Sequence, residues 1–96
     1  MQQYKITNKE GWDITDQKFE ELLKKIFPNY NIGDSRELGE TTMKAYGVFE
    51  NETYIGRIDA VYRPTGTLIT IITNYKEEKG LTNKLISNAD FEWEKV

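Results

Sequence analysis

Between Asp16 and Phe27 the apolar residues Phe19, Leu22, Leu23, Ile26 and Phe27 recur at steps of three and four, forming a single helical stripe. Thr15 stands where a hydroxyl caps the first turn, and Asp16 suits the positive end of the helix dipole. Ile14 is placed to staple onto Phe19. On the wet side, Glu20 with Lys24 and Glu21 with Lys25 are spaced for favourable pairs across one turn. Pro28 ends the helix, because the residue before a proline resists helical geometry.

Beyond Thr42 the period changes from three or four to two. Lys44–Glu50, Thr53–Tyr62 and Thr67–Tyr75 read as strands, joined by Asn51-Glu52 and by Arg63-Pro64-Thr65-Gly66. Pro64 supplies the fixed φ that a type I turn needs, and Gly66 the left-handed residue of a bulge. Gln2–Thr7 alternates loosely, as an edge strand or an ordered arm. Asn29–Thr42, with Gly33, Gly39 and a helical turn at Asp34–Leu38, is either a binding loop or structure that the pattern does not reveal. Leu81–Ile86 suits a short helix, and Asp90–Val96 a last strand or docked tail. The expected fold is α+β: an N-terminal helix packed on a three- to five-stranded antiparallel sheet, built as a meander. It makes one domain over residues 1–96, with 1–10 an arm or edge strand and 76–96 a short helix or tail.

Register then decides which side chains meet. A three-residue loop pairs Arg63 with Thr67, hence Arg57 with Thr73 and Ile55 with Tyr75. Pairing Glu50 with Thr53 sets Tyr46 against Arg57 and Lys44 against Asp59. One face would gather Lys44, Tyr46, Arg57, Asp59, Thr73 and Tyr75, leaving Ala45, Ile58, Ala60, Leu68 and Ile72 to the helix. A guanidinium flanked by a hydroxyl, an ammonium and phenols can clamp a phosphodiester and stabilise charge growing on phosphorus. Asp59, Lys44 or a phenol would serve as base. Each residue also has a plainer role: Arg57 and Asp59 as a surface ion pair, Tyr46 and Tyr62 as packing, Thr73 and Tyr75 as ordinary strand formers.

Composition narrows the chemistry. With no histidine and no cysteine, a Ser-His triad, a histidine base, thiolate metal sites and disulfides are excluded. No cofactor or metal is called for. A net charge of −3 argues against a non-specific nucleic-acid binder, and no apolar run reaches the ~20 residues of a membrane span.

Three stretches resemble the superfamily uniting barnase, EndoU, the tRNA-cleaving colicins and RelE-type toxins. Gly11-Trp12-Asp13-Ile14-Thr15 is similar to the helix entry of colicin-type domains. Ile72-Thr73-Asn74-Tyr75 is similar to the strand ending of EndoU-like sheets. Gly56-Arg57-Ile58-Asp59 with its Pro-Thr-Gly turn is similar to the penultimate hairpin of polymorphic toxin tips. The resemblance spans about residues 11 to 75. EndoU and barnase use histidine, so it is to the histidine-less, colicin-like branch. It implies a metal-independent ribonuclease toxin acting on RNA such as tRNA in the bacterial cytoplasm, made there or delivered as the tip of a secreted or surface protein. An immunity protein or antitoxin would neutralise it. Arg57, Thr73 and Tyr75 would be catalytic, with Asp59 and Lys44 added from register and Tyr46 and Arg63 binding substrate. Small size, acidity, tyrosines and the Asn29–Thr42 segment equally suit a non-enzymatic binding module: an immunity protein, antitoxin or phage-encoded inhibitor.

Overall fold

The computed structural model describes residues 2–73 and 78–96. Its elements run β1 (Gln2–Asn8), α1 (Asp16–Ile26), β2 (Asn31–Leu38), β3 (Thr41–Glu50), β4 (Thr53–Arg63), β5 (Gly66–Thr73), α2 (Glu78–Ile86) and β6 (Phe91–Lys95). The strands form one six-stranded antiparallel sheet in the order β2-β3-β4-β5-β1-β6. The expected helix-first meander of three to five strands is therefore overturned. The described chain is mostly β and opens on a strand, and β1 is an interior strand rather than an arm or edge. It is held by β5 on one side and by β6 on the other. Alternating Tyr4 and Ile6 earn that place, because both side chains are buried.

Helix α1 follows its sequence signals. The Thr15 hydroxyl accepts from the Lys18 amide at 3.3 Å, and Phe19, Leu22 and Leu23 are buried. The surface pairs differ from expectation: Lys18 meets Glu21 at 3.8 Å and Lys25 meets Asp90 at 3.8 Å, whereas Glu20 turns inward. The long Asn29–Thr42 segment holds β2 and the start of β3 instead of a loop with a helical turn. A tight turn at Gly39-Glu40 pairs Leu38 with Thr41.

Two irregularities set the register. From Glu50↔Thr53 and Phe49↔Tyr54 the pairing jumps to Val48↔Gly56, leaving Ile55 as an extra residue in β4. At the next hairpin Gly66 has φ +130°, in the left-handed region, but it pairs directly with Arg63 and no bulge follows. Both pairings are one residue away from those the sequence pattern favours. Tyr46 consequently faces Ile58, not Arg57, and Arg57 faces Ile72, not Thr73.

The bulge has an apolar cause. Ile55, Ile58, Ala60 and Tyr62 are all buried, and a regular strand cannot turn residues three apart to one face. Both helices cover that face. The Phe19 and Tyr46 rings lie 5.8 Å apart, and a Cβ built on Gly56 would stand 2.9 Å from Leu81 Cδ2 and 2.8 Å from the Ile72 carbonyl. Glycine is what lets α2 come so near. Each large aliphatic or aromatic side chain buried in this layer contributes roughly 1.5–3 kcal/mol. Gly56→Ala should therefore lower the unfolding free energy by about 1–3 kcal/mol in urea titration, by pushing α2 off the sheet. An unchanged midpoint would contradict this close packing.

Candidate functional site

Alternation along the strands gives the sheet two unlike faces. On the helix side, Lys44 reaches the start of α1. Its Nζ donates to Glu20 Oε2 at 2.9 Å and lies 3.0 Å from Asp16 Oδ2. The Tyr46 hydroxyl donates to the same Glu20 oxygen at 2.8 Å, and the Tyr46 and Tyr62 hydroxyls are 2.7 Å apart. Since the Tyr46 proton goes to Glu20, Tyr62 donates to Tyr46. This cluster docks the helix on the sheet.

Its electrostatics do not suit a general base. The hydrogen bond to Glu20 raises the Lys44 pKa above its usual value, and burial raises those of Tyr46 and Tyr62. All three are driven further toward their protonated forms, away from what a base at neutral pH requires. The hydrogen bond from Lys44 holds the Asp16 carboxyl below its usual value.

Arg57 and Asp59 stand on the other face, which neither helix covers. Arg57 Nη2 donates to Asp59 Oδ2 at 3.0 Å, and its Nε lies 3.0 Å from Oδ1, a fork of two contacts. The expected cluster is thus divided by the sheet itself. Lys44 and Tyr46 lie under α1; Arg57 and Asp59 lie on the open face. Thr73, opposite Gly56, belongs to the helix side at the end of β5. Arg63 closes its own turn, with Nε donating to the Gly66 carbonyl at 3.0 Å. Tyr75 lies outside the described residues. The aliphatic face expected to meet the helix is split as well. Ile58 and Ala60 are beneath the helices, whereas Ala45, Leu68 and Ile72 are on the open side.

What the open face does assemble was not singled out by the sequence pattern. Met43, Ala45, Val61 and Leu68, all half-buried, form an apolar band across β3, β4 and β5, while Ile72 lies beside Arg57 beyond Thr70. At its β2 side is a solvent-open hollow of about 380 Å³, floored by Met43, Ala45 and Val61. Two ion pairs frame the hollow: Arg57 with Asp59, and Arg36 Nε with Asp34 Oδ2 at 3.2 Å. The available signal was the repeated charge-x-charge spacing of Asp34-Ser35-Arg36 and Arg57-Ile58-Asp59, which places opposite charges on one face of a strand. Among the described residues no group of three or more acidic side chains is arranged to hold a metal ion, and no helix is long and apolar enough to cross a membrane. Comparison with protein-family models, with curated proteins and with solved structures finds no match for this chain.

Lys44→Met tests the docking role of the helix-side cluster. It strands two carboxylates and should cost about 1–3 kcal/mol of unfolding free energy. The Asp16 contribution is complete above the usual carboxylate value of 3.8 and is lost as pH falls through its lowered pKa. The Lys44 contribution is complete below 10.5 and is lost as pH rises through its raised pKa. Stability of the variant should therefore depend less steeply on pH at both extremes. Superimposable profiles from urea titrations across pH would refute the assignment.

Proposed function

We propose that this protein is a non-enzymatic binding module that docks a protein partner on its open sheet face, in the manner of an immunity protein, antitoxin or inhibitor. The observation that carries the reading is the aliphatic band of Met43, Ala45, Val61 and Leu68, uncovered by either helix and framed by paired charges. Interfaces of this kind combine a dry apolar centre with a polar rim, and the hollow beside Val61 has room for a partner side chain. The charged groups of the rim are paired with one another, although Asp59 Oδ1 keeps no hydrogen-bond partner, so they set the orientation of a bound protein.

The ribonuclease reading needed Arg57, Thr73 and Lys44 together, and they are on opposite sides of the sheet. It keeps its resemblance but has no assembled site among the described residues, and Tyr75 lies outside them.

A photo-crosslinking residue at Val61 should give one discrete protein adduct in cells that make the chain. The same residue at Lys24, on the wet side of α1, should give none, and Met43→Asp should abolish the Val61 adduct without unfolding the chain. Equal labelling from both positions would defeat the proposal. So would RNA breakdown on expression in bacteria that Arg57→Ala prevents, since that would restore the ribonuclease.

A further inference from the structure

Strand β2 ends the sheet, and all eight of its residues, Asn31–Leu38, are exposed. The two-residue Gly39-Glu40 loop makes Leu38 and Thr41 the hydrogen-bonded pair that closes the hairpin. Counting back by twos, the backbone groups of Arg36 and Asp34 bond to β3. Those of Ser35 and Glu37 point away from the sheet and lie free along its rim. An open row of this kind templates another strand unless something prevents it.

The side chains select which strand fits. Asp34 and Arg36, opposite in sign and two apart, share the open face and already touch at 3.2 Å. We propose that β2 pairs antiparallel with β2 of a second copy of this chain about a two-fold axis at Ser35, joining two sheets into one. In that register Ser35 exchanges both backbone bonds with Ser35 of the second copy, and Glu37 pairs with Gly33. Asp34 stands directly across from Arg36 of the other copy, and Arg36 from its Asp34. Those are non-hydrogen-bonded pairs, the positions at which cross-strand side chains approach most closely.

Neighbouring registers are disfavoured. A shift of the strands by an odd number of residues matches an outward backbone group with an inward one. An axis at Asp34, at Arg36 or at Glu37 sets that residue against its own copy, charge against like charge. The strand is therefore complementary to itself in one alignment and repulsive in the adjacent ones, a pattern that a merely protected edge would not need. This pairing needs none of the aliphatic band on the open face; Asp34 and Arg36 border both surfaces, and the oligomeric state is read separately from partner docking.

Light scattering on a size-exclusion column, over a concentration series, should show the 11.2 kDa chain passing into a species of twice that mass. Asp34→Arg and Arg36→Asp should each raise the concentration at half-dimerisation about tenfold, because each turns two attractive pairs into repulsive ones. The double variant Asp34→Arg/Arg36→Asp should recover the dimer. Ser35→Pro removes an outward N–H, and it should give a monomer whose circular dichroism shows the sheet intact. A single 11.2 kDa species at every concentration would overturn the proposal. So would a double variant no better than the singles, or a dimer indifferent to Ser35→Pro but lost in Val61→Arg.

Discussion

One inserted residue, Ile55, governs which of the chain's polar groups are buried under the helices and which look out to solvent. Continued without it, the ladder would carry Arg57 into the layer that holds Tyr46, and an ionised group there without its own partner would be expensive to bury. With it, Ile55, Ile58, Ala60 and Tyr62 enter the core together, and Arg57 forks onto Asp59 in the open. The bulge is the solution to an odd apolar spacing, and the character of both faces follows from it.

The helix side then needs a polar joint, because β3 brings Lys44 and Tyr46 inward beneath α1. Glu20 meets both of them, Asp16 adds a second carboxylate, and Tyr62 completes the chain of hydroxyls. Groups that sequence reasoning assigned to acid–base chemistry are occupied in holding the helix to the sheet. The open side inherits a quieter composition of half-buried aliphatics between two ion pairs. Such a surface is suited to recognition, where shape and a dry centre matter more than a tuned pKa.

The two free rims of the sheet also differ in kind. At one end β6 is five residues long and borders the interior strand β1. At the other β2 extends for eight exposed residues, with its charges arranged in a self-matching pattern. The face and the rim thus differ in what they present: a band of aliphatic side chains on one, a row of backbone groups and alternating charges on the other.

Local pattern alone determined helix α1 with its Thr15 cap, the strands from β3 to β5 to within a few residues, and the tight turn at Asn51-Glu52. These depend on neighbours in the chain: stripe spacing, a capping hydroxyl, a residue able to take positive φ. The same local pattern located α2, expected as a short helix at Leu81–Ile86, and β6, expected as a last strand or docked tail at Asp90–Val96; tertiary structure decided the rest. The place of β1 inside the sheet depends on pairing with Ile69, more than sixty residues away, which no window of sequence contains. Strand β2 was hidden because it buries nothing and so lacks the alternation that marks a strand. The divided cluster of Lys44, Arg57, Asp59 and Thr73 was lost to two single-residue shifts. With a side-chain period of two, a shift of one exchanges the faces, and only the packing of helices on the sheet selects between the two outcomes.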